Sequence, residues 1–179
     1  NASGNVYRLA DPTDITPITL AARVDDASPP GAVSITNDSP DIYTEGLKAG
    51  IATSSAGFSA TGTISNLAAM STDASSLAVA LATGTAGTYN GTATLALAST
   101  GAGTTGAEDY ALDDQTVALT GKVYTAAVKQ VEEEYTTIDF GIVHRGDNVT
   151  AKPLTVTNAA ATTALNDVLT GSFGGATGP

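Results

Sequence analysis

The sequence predicts an all-β fold, an antiparallel β-sandwich present once in full and once in part. Three observations point there. Apolar residues recur with a period of two along most of the chain, the spacing of strands with one buried face. The runs are short and separated by clusters of Gly, Pro, Asn and Asp, as in sandwiches. The layout also occurs twice: Ala32-Val-Ser-Ile-Thr-Asn37 answers Pro153-Leu-Thr-Val-Thr-Asn158, which places Asn158 121 residues after Asn37 (158 − 37). Val6-Tyr7 answers Val123-Tyr124, 117 apart (123 − 6), and Ser54-Ser-Ala-Gly57 answers Ala176-Thr-Gly178. An internal repeat near 120 residues is domain-sized rather than a solenoid coil.

In chain order, residues 1–14 read as a connector or the tail of a preceding repeat, polar and broken by Asp11-Pro12. Residues 15–125 read as a complete sandwich. Its first strand is expected over Ile15–Leu20, with Pro17 favouring an edge. Pro29-Pro30-Gly31 turns the chain into a strand whose inward face carries Val33 and Ile35. Asp38-Ser-Pro-Asp41 breaks the pattern before a strand over Leu47–Thr53. Phe58, Ala60, Gly62 and Ile64 alternate as a single run, and residues 66–73 read as a loop with Leu67 and Met70 tucked beneath it. Leu77, Val79 and Leu81 mark the next strand. After a turn at Thr83–Gly87, Tyr89, Gly91, Ala93, Leu95 and Leu97 share one face. A Gly/Thr/Ala loop over 99–106 and an acidic loop over 108–114 precede Val117, Leu119, Gly121 and Val123.

Residues 126–136 read as a linker, and 137–179 as the front of a second repeat. Ile138, Phe140 and Ile142 alternate there, Gly146-Asp147 turns the chain, and Leu154 and Val156 resume the alternation. Alanine-rich stretches near Ala126 and Ala159 are the places where helix propensity competes.

The pattern Asp139-Phe-Gly-Ile-Val, Gly146-Asp, Leu154-Thr-Val-Thr-Asn158, Gly57-Phe-Ser, Leu77-Ala-Val, Ala86-Gly-Thr-Tyr89 and Val117-Ala-Leu-Thr-Gly121 resembles the immunoglobulin-like repeats called choice-of-anchor D. These repeats are related to the abnormal-spindle/hydin type of sandwich. The first copy departs from the pattern, because Ala22-Arg-Val-Asp-Asp26 lacks the Phe-Gly pair. The resemblance implies tandem repeats of large secreted or surface-attached bacterial proteins, without a catalytic motif. The expected fold is thus a tandem immunoglobulin-like antiparallel β-sandwich, one complete repeat plus the front part of a second.

Composition narrows the function. The 179 residues carry 7 basic and 18 acidic side chains, a net charge of −11, and the basic ones are scattered from Arg8 to Lys152. Nucleic acid and anionic membrane surfaces both need clustered Lys and Arg, so neither is an expected partner. No run of about 18 apolar residues is present for a spanning helix, and 5% aromatic residues leave little for the girdles of a lipid-facing barrel. There is no Cys for a disulfide or thiolate. The chain starts at Asn1 without a basic, then apolar leader and reads as a processed or excerpted segment. An acidic surface rich in Thr, Ser, Ala and Gly suits an extracellular or cell-surface location.

Chemistry-bearing motifs are sparse. His144 is the one histidine and sits beside Arg145 in a turn, a poor start for a triad or a multi-histidine metal site. The acidic clusters Asp25-Asp26, Asp38 with Asp41, Glu108-Asp109, Asp113-Asp114 and Glu132-Glu-Glu134 offer the oxygen ligands that Ca²⁺ prefers, but no twelve-residue calcium loop is present and acidic turns are ordinary solvated surface. No cofactor and no enzymatic activity are expected: nothing fixes the separation of two carboxylates for glycoside hydrolysis, and Gly171–Gly178 lacks the Lys-Ser/Thr of a phosphate loop. Asn1, Asn37, Asn90 and Asn148 open formal glycosylation sequons.

The expected role is structural, a module of an extracellular array or filament assembled end to end by β-strand complementation. The assembly strands carry Ile138, Phe140, Ile142, Leu154, Val156, Leu165, Val168 and Leu169, a face without its matching half. The partners expected are other copies of the molecule or adjacent repeats of the same polypeptide. The alternative is an adhesin or ligand-binding module that uses loops 66–73 or 99–114.

Overall fold

A computed structural model describes residues 3–132, 137–161 and 165–175. The chain divides into two compact units, Asn1–Val123 and Tyr124–Pro179. Among the described residues every regular element is a strand.

The first unit is a sandwich of two sheets. Its strands are β1 (Ile18–Arg23), β2 (Gly31–Thr36), β3 (Gly46–Ser54), β4 (Phe58–Thr61), β5 (Thr63–Leu67), β6 (Thr72–Leu81), β7 (Gly87–Thr100), β8 (Tyr110–Ala111) and β9 (Gln115–Tyr124). One sheet runs β1-β9-β7-β3-β5, with β8 lying against the end of β7 beyond β9, and the other runs β2-β6-β4. The sandwich separates β2, β4 and β6 from β3, β7 and β9, the division made in immunoglobulin-type domains. Alternation decides which side chains enter. Val33 and Ile35 of β2, Leu77 and Val79 of β6, Ala93 and Leu95 of β7, and Val117 and Leu119 of β9 are all buried between the sheets.

Tyr89, partly buried, packs against this core near the start of β7, and its hydroxyl donates to the Thr85 carbonyl just upstream at 2.8 Å. This is the tyrosine corner of the sandwich class: the ring is packed against the core while the polar tip closes the preceding turn.

Four local departures from the sequence expectation have physical causes. β1 begins after Pro17 rather than at Ile15, since a proline has no N–H for the ladder, and it lies at the sheet edge. The run Phe58–Ile64 is two strands in two different sheets: β4 pairs with β6, and β5 pairs with β3. Gly62 makes the crossing at φ +112, where a Cβ would overlap the Ser76 carbonyl. Leu67 packs against the core, but Met70 sits at φ +60 and is exposed. Residues 8–13, read as connector, are bonded into the sandwich. Arg8 bridges Thr44, Pro12 bridges Asn37, and Ala10 is buried with its N–H on Ser99 Oγ at 2.9 Å.

The second unit holds β10 (Lys129–Val131) and β11 (Val156–Asn158), paired antiparallel, and a parallel bridge between Thr125 and Asn166. β10 thus lies within the expected linker. The strand expected over Ile138–Ile142 does not form, and no partner strand lies beside it among the described residues. A lone alternating run has no ladder to satisfy its backbone.

Candidate assembly surface

Asn37 follows β2 with 0% of its surface exposed, and it organises one end of the first unit. Its Oδ1 accepts from the Asp11 N–H at 3.0 Å, and its Nδ2 donates to the Glu45 carbonyl at 3.0 Å and the Leu67 carbonyl at 3.1 Å. Its main chain donates to the Ser71 carbonyl and accepts from the Met70 N–H. One side chain therefore ties the N-terminal segment, the start of β3 and the turn between β5 and β6. Beside it Glu45, also buried, accepts from Ser99 Oγ at 2.8 Å and from Thr105 Oγ1 at 2.6 Å. Ser39 and Thr44 share a hydroxyl hydrogen bond.

The second unit contains the same clasp. Asn158 Oδ1 accepts from the Val128 N–H at 3.0 Å, as Asn37 does from Asp11, 117 residues earlier (128 − 11). Asn158 Nδ2 donates to the Asp167 carbonyl at 3.0 Å, as Asn37 does to Glu45, 122 earlier (167 − 45). The Ala159 N–H donates to the Val128 carbonyl just as the Asp38 N–H does to that of Asp11. Thr125 exchanges hydrogen bonds with Leu165 and Asp167 as Arg8 does with Tyr43 and Glu45. The Thr-Asn repeat in the sequence thus marks a repeated hydrogen-bond bracket. The match of Ser54–Gly57 to 176–178 lies outside the described residues.

The two clasps differ in what surrounds them. Among the described residues, Asn158 has no contact that corresponds to Leu67, Met70 or Ser71, and it is exposed. Asn166 Oδ1, nearby in the bracket, is buried with no hydrogen-bond partner among the described residues.

The apolar positions follow suit. Val33 and Ile35 are 0% exposed, whereas their counterparts by repeat spacing are Leu154, half-buried, and Val156, 46% exposed. Of the other residues expected on the assembly strands, Ile138, Leu165 and Leu169 are half-buried, and Phe140, Ile142 and Val168 are exposed. Phe173, which the sequence did not single out, is 87% exposed. Val131, Leu154, Val156, Leu169 and Phe173 line an open groove of about 510 Å³ in the second unit. In the first unit Val33 and Ile35 are buried in one apolar cluster with Leu77, Leu95 and Val117.

His144 is exposed in a turn, its main-chain N–H donating to Asp147 Oδ2 at 2.8 Å. No group of three or more His, Asp or Glu side chains converges among the described residues. Asn37 is sealed from any modifying enzyme, whereas Asn90 and Asn148 are exposed. The loops suggested for recognition meet across a groove of about 260 Å³, where Asn66 Nδ2 donates to the Ala102 carbonyl at 3.0 Å. No described helix is long and apolar enough to cross a membrane.

No protein-family model and no curated protein matches the chain. Among solved structures, an ASH or PapD-like domain of human CEP192, its PapD-like domain 7, is similar at 9% identity and a TM-score of 0.41, covering 69% of this chain and 91% of that one.

Proposed function

We propose that the protein is a non-catalytic structural module of an extracellular or cell-surface array or filament, of the kind its resemblance to choice-of-anchor D repeats implies. Modules join end to end because a neighbouring copy supplies strands to an open unit. One observation carries this reading: positions buried at 0% in the first unit, Val33 and Ile35, have counterparts in the second that meet solvent. Each large apolar side chain left in water forgoes roughly 1.5–3 kcal/mol of burial, and exposed apolar side chains beside an open strand edge favour association. The net charge of −11 works against non-specific clumping and selects for contacts that bury this face.

Sedimentation of the full chain over a range of concentrations tests the proposal. Association is expected in the unaltered protein, weakened about tenfold or more by Val156→Asp with Val168→Asp, in line with one to two buried side chains lost. A monodisperse monomer whose second unit is fully protected from hydrogen exchange would overturn it. Electron micrographs separate the filament from the adhesin reading, with fibres expected for the first and isolated rods for the second.

A further inference from the structure

We propose that Asn158 is the docking anchor of the open unit, and that its occupant is a repeat-type segment with the chemistry of Leu67–Leu81: a tight turn that runs into a β6-like strand. This inference rests on the assembly reading above and specifies the partner. The Ala159 N–H donates to Val128, so Lys129 and Asn158 form the non-hydrogen-bonded pair of the β10–β11 ladder. The main-chain N–H and C=O of Asn158 therefore point away from β10. In the first unit the equivalent groups of Asn37 meet Ser71 and Met70, and Nδ2 meets the Leu67 carbonyl. The strand that follows pairs Thr72 with Thr36 and Asp73 with Ile35. The counterparts of Thr36 and Ile35 are Thr157 and Val156, on β11. An incoming strand in that register would lay its apolar side chains into the groove lined by Leu154, Val156 and Leu169. The internal repeat is the reason for choosing this occupant: the same bracket, elsewhere in the same chain, is filled by that sequence.

The probe is a synthetic peptide with the sequence of residues 67–81, titrated into the isotopically labelled full chain, with a scrambled peptide as control. Binding should shift the Asn158 backbone and side-chain amide resonances and slow exchange of the Nδ2 protons. Asn158→Ala should weaken peptide binding about tenfold, the size expected for polar groups left without partners. Because Asn158→Ala also loosens the clasp itself, the side-chain exchange in the unaltered protein is the deciding readout. Peptide binding that leaves Asn158 unchanged would overturn the inference. So would self-association of the chain without any peptide binding, which would assign the face to a second copy's open unit and leave the assembly reading standing. Absence of both peptide binding and self-association would remove the inference and the assembly reading together.

Discussion

Asn37 shows how one residue can hold the closed end of a sandwich. An amide offers an acceptor and two donors on opposite sides, and at Asn37 these meet three separate segments at 3.0–3.1 Å. Asn37→Ala would leave the Asp11 N–H and the Glu45 and Leu67 carbonyls, one bond buried and two partly buried, without this partner, and each fully buried group so left costs about 1–3 kcal/mol. The expected loss in denaturant unfolding is about 3 kcal/mol after partial relaxation. Asn158→Ala, at an exposed site of the same design, should lose less than about 1 kcal/mol in the isolated chain. Equal effects of the two substitutions would show that partner strands do not distinguish the clasps. Asn37 was visible in the sequence as half of a repeated Thr-Asn pair, yet its burial was not, since nothing local to Asn-Asp-Ser distinguishes a clasp from a turn or a sequon.

At the scale of elements, the most informative place is the bulge in β6. The β2–β6 ladder pairs Ile35 with Asp73 and Val33 with Leu77, so β6 carries extra residues between them. Asp73 folds the excess: its carboxylate accepts from Ser76 Oγ at 2.6 Å and from the Ser76 and Ser75 N–H groups. These bonds, the Ser76 hydroxyl first, hold the Asp73 carboxyl below its ordinary range. Its contribution to stability is therefore complete above the ordinary aspartate value and is lost as the pH falls through the lower folded value, because the unfolded chain binds the proton first. The Arg8 hydrogen bond lowers Asp41 and the Lys48 hydrogen bond lowers Asp109 in the same direction, but both are ion pairs at the surface. In about 1 M salt those two contributions should shrink, leaving the part set by neutral donors. Acid unfolding of the first unit in high salt should then be less steep in pH for Asp73→Asn than for the unaltered chain. Identical profiles would remove Asp73 from the account. Period-two alternation made the faces of β2, β6, β7 and β9 legible, because a strand with one buried face writes that face into its side chains. It could not show that Phe58–Ile64 changes sheets at Gly62, since the alternation is in phase on both sides of the crossing and the Ser76 carbonyl that leaves no room for a Cβ there is distant in sequence.

For the molecule as a whole, the same repeat appears in two energetic conditions. The first unit buries a continuous core from β1 to β9, and its long β3, β7 and β9 ladders satisfy the backbone in its centre. The second has two three-residue strands, and Ala160 is its one buried apolar residue among those described. Two short paired strands are marginal in water, so their opening is expected to cost far less than unfolding the sandwich. Alternation at Ile138–Ile142 pointed to a strand that does not form, because a strand needs a neighbour and period alone does not supply one. Hydrogen exchange on the full chain should therefore split into two classes. Amides of Ala93–Leu97 and Val117–Val123 should exchange only through global opening, while those of Val156–Asn158 and 165–169 exchange through cheap local opening. Raising the protein concentration into the associating range should slow the second class by about tenfold or more and leave the first unchanged, since binding stabilises only the form it requires. A second class that is already slow at the lowest concentration, or that fails to respond to association, would mean that the exposed strands are not where copies meet.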